Sequence, residues 1–198
     1  MIAIIDLGIG NISSIANIIK KCQGEYFICR DHRDLSKATK IILPGVGSFD
    51  YAVKCLTNGG WIAPLNESVL GEKKQVLGIC LGMQLMCMNS EEGNLDGLGW
   101  LKARVVRFKF GQAQENLKIP HMGWNSVKVQ KGNRLLLPGP EENRFYFVHS
   151  YHVACDEVGD IVGTTNYGYN FTSIFSKDNI YGVQFHPEKS HRFGIGLI

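Results

Sequence analysis

One of the six cysteines has a sequence environment that could make it a nucleophile. Cys80 lies in Gly78-Ile79-Cys80-Leu81-Gly82, directly after an apolar run at 76–79. The equivalent serine pattern, G-x-S-x-G, forms a tight strand-to-helix turn that needs small residues two positions before and after the nucleophile. The N-terminus of the following helix favours a negative charge on the sulfur. The pattern therefore predicts a reactive thiol, the alternative being an inert buried cysteine in a glycine-containing turn.

A nucleophilic thiol needs a base, and the base needs a group that orients it. Among the six histidines, only His186 stands at the end of an apolar run with a carboxylate beside it, in Val183-Gln184-Phe185-His186-Pro187-Glu188. We expect Glu188 to accept a hydrogen bond from one ring nitrogen while the other faces Cys80. Taken alone, the same residues are also compatible with an ordinary turn.

A third motif could stabilise negative charge on a reacting oxygen. Leu43-Pro44-Gly45-Val46-Gly47 follows another apolar run, at 40–43. The backbone N–H groups of Gly45, Val46 and Gly47 could bind an oxyanion together with the N–H of Leu81. The alternative is a glycine-rich connection without a chemical role.

The elements around these motifs alternate between strands and helices in the first half of the chain. Strands are predicted at 2–5, 25–30, 40–43 and 76–79, with helices after an N-cap at Asn11, at 49–56, at 61–70 and from Cys80 through Met88. Short β-like runs follow at 103–110, 126–129, 145–149, 161–165, 172–176 and 180–185, with turns at 131–133 and 177–179 and a polar loop at 111–118. This order predicts a single α/β domain over residues 1–198, with a mostly parallel central sheet, helices on both faces and antiparallel strands added in the C-terminal half.

Composition excludes several classes of protein. The chain has 198 residues, and 21 Lys+Arg against 18 Asp+Glu give a net charge of +3, too small to indicate nucleic acid or an anionic membrane as a partner. No signal peptide or membrane span is expected. The six cysteines contain no C-x-x-C pair, so we expect reduced thiols, a cytoplasmic location, and neither a metal site nor a cofactor. The five cysteines other than Cys80 are interpreted as packing residues.

Taken together, the motifs resemble those of the class I (triad) glutamine amidotransferases. The most specific blocks are G-I-C-L-G-M-Q at 78–84 and Q-F-H-P-E-K-S at 184–190, supported by blocks at 4–11, 43–47, 90–93, 120–125 and 147–151. They cover the chain nearly end to end. Within the family, the chain is most similar to the glutaminase subunits of imidazole glycerol phosphate synthases. The resemblance implies a flavodoxin-like three-layer sandwich.

The resemblance also implies a reaction. Cys80 would attack the side-chain amide of L-glutamine, His186 would shuttle the proton and Glu188 would orient His186, so that ammonia and then glutamate leave. Gln84 and Glu92 would contact the glutamine. Backbone groups of the segment His149, Ser150 and Tyr151 would help to bind it.

The implied partner is a (β/α)8-barrel cyclase subunit, which forms a heterodimer with this chain and uses the ammonia to make imidazole glycerol phosphate for histidine biosynthesis. The candidate docking surface comprises His121, Met122, Trp124 and Lys189. For Trp124, an ordinary position in the core is the competing interpretation.

Several alternatives stay open at this point. Ser190-His191-Arg192-Phe193-Gly194 resembles the tail of paralogues that supply ammonia to sugar amidotransferases of surface-polysaccharide synthesis. The chain ends where the family continues a closing helix, so truncation of that helix is also expected. A non-catalytic scaffold with a degenerate site and a Cys-His peptidase are further alternatives.

Overall fold

The carboxyl ends of neighbouring parallel strands carry the three predicted motifs. The structure is a computed structural model that describes residues 1–112, 116–130, 135–136 and 143–198. Its strands are β1 (Ile2–Ile5), β2 (Tyr26–Cys29), β3 (Lys40–Leu43), β4 (Gln75–Ile79), β5 (Asn89–Ser90), β6 (Ala103–Arg107), β7 (His121–Val129), β8 (Asn143–His149), β9 (Tyr151–Cys155), β10 (Ile161–Tyr167), β11 (Tyr169–Lys177) and β12 (Ile180–Val183). The α-helices are α1 (Ile12–Lys21), α2 (Phe49–Asn58), α3 (Ile62–Asn66), α4 (Leu81–Leu85) and α5 (His191–Leu197).

The parallel half of the sheet has the strand order β2-β1-β3-β4-β12. This is the flavodoxin-like order, in which ligands bind at the carboxyl ends of the strands. Leu43 of β3 pairs with Gly78, and Val183 of β12 pairs with Ile79. The segments that follow β3 and β12 therefore flank Cys80 on its two sides. The predicted α/β fold, flavodoxin-like with a parallel central sheet, is confirmed.

The C-terminal half extends the same sheet with antiparallel strands, as expected. The path continues from β12 through β11, β10 and β7 to β8, and β9 joins β6 and β5 to β11. Strands β5 and β9 were not predicted, because β5 has only two residues and β9 follows β8 after a single residue, Ser150.

Two hydrophobic cores, one on each face of the sheet, produce the three layers. Alternate residues of β1 enter different cores, since Ala3 and Ile5 pack on one face and Ile4 on the other. Residues of α2 and α3 cover the first face, and residues of α1 and α5 cover the second. Asn11 caps α1 as predicted, with its Oδ1 accepting from the Ser14 N–H at 3.3 Å.

Two helices differ from the prediction. The helix after Cys80 ends at Leu85 rather than Met88, because the Leu85, Met86 and Cys87 carbonyls accept hydrogen bonds from the N–H groups of residues 98, 101 and 99. Cys87 is therefore buried beyond the helix. The predicted helix at 61–70 is split into α3 and a π-helical turn, Glu67–Gly71.

Shorter features complete the description. Turns of 3₁₀ helix lie at His32–Lys37, Val158–Asp160 and Pro187–Lys189. The turn predicted at 177–179 is present, whereas the turn predicted at 131–133 and residues 113–115 of the predicted loop lie outside the described residues. No helix in the described part of the chain combines the length and hydrophobicity that crossing a bilayer requires.

Candidate active site

The turn between β4 and α4 has the geometry of a nucleophile elbow. Cys80 has φ +53° and ψ −109°, a strained conformation for a residue with a side chain. A Cβ on Gly82 would lie 1.8 Å from the Leu43 carbonyl oxygen, and a Cβ on Gly78 would lie 2.7 Å from Met83 backbone atoms. The two flanking glycines are therefore sterically required, as the sequence pattern predicts.

His186 and Glu188 form a buried pair in the turn after β12. The Nδ1 atom of His186 lies 2.7 Å from Oε1 of Glu188, and each side chain is 2% exposed. An ionised carboxylate only accepts hydrogen bonds, so Nδ1–H donates and Nε2 is the free ring nitrogen. The Ser190 hydroxyl secures the turn, because it donates to the His186 carbonyl at 2.6 Å and accepts from the Tyr146 N–H at 3.0 Å.

The charge on His186 is set by its two neighbours. Burial alone would lower the pKa of this imidazole, but hydrogen bonding and charge interaction with Cys80 and Glu188 outweigh that effect and raise the pKa to about 10. Nε2, the ring nitrogen not bonded to Glu188, belongs to a residue that lines the same cavity as the thiol. His186 is therefore protonated at neutral pH, with the Glu188 carboxylate on one side and the Cys80 sulfur as its other neighbour.

Gln184 contacts the sulfur, a role that the motif analysis missed. The register of β4 and β12 places it beside Cys80, and its Nε2 donates to the Cys80 Sγ at 3.7 Å. Its Oε1 accepts from Nε2 of Gln84 at 3.1 Å. Gln184 is 0% exposed, and an uncharged polar residue inside a buried apolar run is the signal that could have identified it.

A cavity of about 510 Å³ opens over the elbow. Its lining comprises Val46, Gly47, Cys80, Leu81, Gln84, Glu92, Pro120, Val148, His149, Ser150, Tyr151, His186 and Lys189. Most of the residues predicted to react with or bind glutamine therefore meet at one place. Pro120 and Val148 had been given no role from the sequence, and Glu188 lies behind His186 instead of at the surface of the cavity.

The segment predicted to bind the oxyanion packs against the start of α4. A Cβ on Gly45 would lie 3.0 Å from Cβ of Leu81, so Gly45 allows the two backbones to approach closely. Gly47 has φ +111°, and Val46 is 43% exposed. The segment and the N-terminus of α4 thus lie side by side at the mouth of the cavity.

Glu92 connects the cavity wall to the helix that follows this segment. Its Oε2 accepts from the Phe49 N–H at 2.9 Å, at the N-terminus of α2. Burial raises the pKa of Glu92, and the Phe49 N–H partly offsets that effect. A carboxylate at this position can cap α2 and present its other oxygen to a cationic group of a ligand.

The corner between β8 and β9 forms the opposite wall. The Tyr151 carbonyl accepts from Nδ1 of His149 at 2.7 Å and from Nε2 of Gln84 at 3.1 Å. The Ser150 carbonyl accepts from the Phe108 N–H at 3.2 Å. The segment predicted to bind the glutamine backbone is thus fixed by three hydrogen bonds.

The prediction that His121 lies on a docking surface is wrong. Its side chain is 3% exposed, whereas Met122 and Trp124 are 62% and 41% exposed. Met122 and Trp124 share one face of β7, and strand alternation turns His121 to the other face. The exposure of Trp124 also excludes the alternative of an ordinary core position.

The exposed face of β7 adjoins the cavity. Met122 pairs across the sheet with the cavity residue Val148, and Trp124 pairs with Tyr146. Nζ of the cavity residue Lys189 lies 5.8 Å from the Tyr146 ring centroid. An apolar, partly cationic surface therefore borders the site.

Comparison with known proteins finds relatives over the whole chain. The family described as Glutamine amidotransferase class-I matches residues 3–194. A relative from Methanococcus maripaludis, imidazole glycerol phosphate synthase subunit HisH 2, is 54% identical over all of this chain and 96% of its own length. The HisH subunit from Leptospira interrogans is 43% identical over all of this chain and 97% of its own length.

Solved structures agree at the level of fold. The structure described as PurLQS from Thermotoga maritima has a TM-score of 0.74 at 14% identity, covering 99% of this chain and 94% of that one. A crystal structure of a glutamine amidotransferase has a TM-score of 0.73 at 18% identity, covering 98% and 94% of the two chains. With its family match over nearly the whole length and relatives above 40% identity, this chain belongs to the class I glutamine amidotransferase family.

Proposed function

We propose that this chain is the glutaminase subunit of an imidazole glycerol phosphate synthase, acting in the cytoplasm. It would hydrolyse L-glutamine to glutamate and ammonia through Cys80, His186 and Glu188. The observation that carries the proposal is that the strained Cys80 elbow and His186, backed by the buried Glu188, meet in one cavity. The names of the full-length relatives support the pathway, and six free cysteines suit a reducing compartment.

The first half of the reaction forms a thioester. The Cys80 sulfur attacks the side-chain carboxamide carbon of glutamine, and the carbonyl oxygen becomes an oxyanion that the Leu81 N–H and the 45–47 segment stabilise. The imidazolium of His186 then donates its Nε2 proton to the departing nitrogen, which leaves as ammonia. Glu188 stabilises the imidazolium and fixes the ring so that Nε2 faces the reacting atoms.

The second half regenerates the thiolate and the imidazolium. Neutral His186 accepts a proton from a water molecule that attacks the thioester carbon, and the collapsing intermediate releases glutamate and the Cys80 thiolate. Glu92 would bind the α-ammonium group of glutamine, because its side chain supplies a carboxylate to the lining of the cavity.

The partner that we propose is a (β/α)8-barrel cyclase subunit, docked over Met122, Trp124 and Lys189. The exposed side chains of Met122 and Trp124 form a surface beside the cavity mouth, and tryptophan is a frequent anchor of protein interfaces. Ammonia is largely protonated in water at neutral pH, so docking at this rim would let it pass between sites as the free base.

The experiment measures glutamate release from the purified chain with and without the barrel subunit and its nucleotide substrate. Cys80→Ala is expected to abolish release, whereas Cys55→Ala, a change at a cysteine outside the cavity, leaves it intact. A glutamine analogue with an electrophilic carbon should label Cys80 in mass spectrometry. Retained glutaminase activity in Cys80→Ala would disprove the mechanism.

The second candidate is the paralogous function, ammonia supply to a surface-polysaccharide sugar amidotransferase. The residues at 190–194 favour it, and the active-site chemistry would be the same. Stimulation of glutamate release by the cyclase supports the first function. Stimulation by the sugar amidotransferase alone supports the second.

A further inference from the structure

His121 and His149 form a buried pair behind the substrate cavity. The two residues are direct neighbours across β7 and β8, with Nδ1 of His121 lying 2.9 Å from Nε2 of His149. His121 also stacks against Tyr167, with ring centroids 4.1 Å apart. The backbone of the 149–151 corner is predicted to bind glutamine, and the proposed reaction gives His121 no role.

The hydrogen bonds of this pair are consistent with one direction of donation. The Tyr151 carbonyl can only accept, so Nδ1 of His149 donates to it. Nε2 of a neutral His149 must then accept from Nδ1–H of His121. Nε2 of His121 in turn accepts from the Asn125 side-chain amide at 3.2 Å. Burial lowers the pKa of His121 to about 4 and lowers the pKa of His149 well below its ordinary value, so both rings are neutral.

This series of hydrogen bonds ends at the Tyr151 carbonyl, which belongs to the wall of the cavity. The Tyr151 carbonyl accepts from Gln84 as well as from His149, and all three residues line the cavity. The second N–H of the Gln84 amide donates to Gln184. The side-chain oxygen of Gln84 is therefore the atom left to bind a ligand. Without the correct His149 tautomer, the hydrogen bond from Nδ1 of His149 to the Tyr151 carbonyl would be lost. The carbonyl would then no longer hold the Gln84 amide in one orientation.

We propose that His121 is a positioning residue for glutamine binding: it fixes the tautomer of His149 and thereby the Tyr151 carbonyl and the Gln84 amide at the cavity. The inference rests on the proposed glutaminase function. It predicts an effect mainly on substrate binding, since these hydrogen bonds reach the Cys80 sulfur only through Gln184, and His186 bonds to Glu188 rather than to any member of the series.

His152 offers a matched control. It is 5% exposed against 3% for His121, and both rings pack against Phe108, with centroids 4.7 and 6.2 Å away. Its ring nitrogens bond to the Tyr169 hydroxyl at 2.9 Å and the Val153 carbonyl at 3.3 Å, neither of which lines the cavity. His152→Phe therefore removes a buried imidazole of the same kind without removing a hydrogen bond of the 149–151 corner.

The experiment compares wild type, His121→Phe, His121→Asn and His152→Phe in the complex with the partner subunit. His121→Phe keeps an aromatic ring but loses the donor, so we expect KM for glutamine to rise about tenfold with kcat within about twofold. His121→Asn keeps an N–H near the position of Nδ1 and should restore KM to within about threefold. His152→Phe should leave KM unchanged.

A spectroscopic measurement reports the tautomer directly. In wild type, ¹⁵N chemical shifts should show His149 protonated on Nδ1, and in His121→Phe they should show a mixture of tautomers. Equal KM effects in His121→Phe and His152→Phe, or a wild-type His149 protonated mainly on Nε2, would overturn the inference. A folded wild-type complex that releases no glutamate would instead overturn the proposed function.

Discussion

His186 and the pair His121–His149 are buried to a similar degree, yet we infer opposite charge states for them. The three residues are 1%, 3% and 6% exposed, respectively. The pKa of His186 rises to about 10, because Cys80 and Glu188 outweigh the effect of burial. Burial lowers the pKa of His121 to about 4, since its hydrogen-bond partners are uncharged. The charge of the hydrogen-bond partners, and not the depth of burial, therefore decides which imidazole can transfer a proton at neutral pH.

The two sites also lie in different parts of the sheet. His186 follows a strand of the parallel half, where each chemical group comes from a short motif at a strand end. The neutral pair lies between antiparallel strands, where its members are 28 positions apart in sequence and meet only through strand pairing.

The largest expected effect on catalysis comes from removing the negative charge beside His186, so that this imidazole becomes neutral like His121 and His149. Glu188→Gln replaces the carboxylate by a neutral amide, so burial should dominate and the pKa of His186 should fall well below about 10. We expect kcat to fall about a thousandfold, since the imidazolium would no longer be stabilised or correctly oriented. NMR titration of the His186 ring and the rate of glutamate release are the measurements.

Glu91→Gln is the control for removing one negative charge, because Glu91 lies outside the cavity and bonds to the Arg107 N–H and Lys109. A Glu188→Gln variant that keeps the raised His186 pKa would show that Cys80 alone is responsible for it.

The sequence was informative where function depends on local geometry. The elbow at Cys80, the turn at His186 and the parallel strands between them each have a signature within a few residues. The position of His121 was predicted wrongly, because its burial depends on which face of β7 is covered. The contact of Gln184 with Cys80 depends on the register of β4 with β12, which no pattern in either segment specifies.

The second prediction concerns acid stability. The His121 pKa is lowered in the folded state, so its neutral form contributes stability above the unfolded value of 6.5, and that stability is lost as the pH falls from 6.5 towards about 4. Over this window the unfolded chain binds a proton that the folded chain does not, a cost of about 2 kcal/mol for His121 alone. His121→Phe should reduce the loss of unfolding free energy by that amount.

Urea unfolding at about pH 7 and about pH 4.5, for wild type and His121→Phe, measures the difference. Parallel losses in the two proteins would mean that His121 is protonated in the folded state and does not belong to a neutral pair.

A smaller effect is expected at Gln184, which connects the charged site to the cavity wall. Gln184→Leu removes the N–H donated to the Cys80 sulfur and leaves the Gln84 amide without one acceptor, so kcat/KM should fall about tenfold. Ser173→Ala is the control, since Ser173 is equally buried on the neighbouring strand and its hydroxyl has no hydrogen-bond partner among the described residues. An equal loss in both variants would assign the effect to packing.

The smallest effect is expected at Glu92, where capping of α2 and contact with the substrate can be separated. Glu92→Ala removes the acceptor for the Phe49 N–H, so the free energy of unfolding should fall by about 1 kcal/mol. Glu92→Gln keeps an acceptor oxygen and should preserve stability, while the loss of charge raises KM for glutamine. Ser48→Ala should leave stability unchanged, because Ser48 makes no side-chain capping bond to α2 in the described structure. If instead Ser48→Ala lowers stability and Glu92→Ala does not, Ser48 rather than Glu92 caps the helix that follows the proposed oxyanion segment.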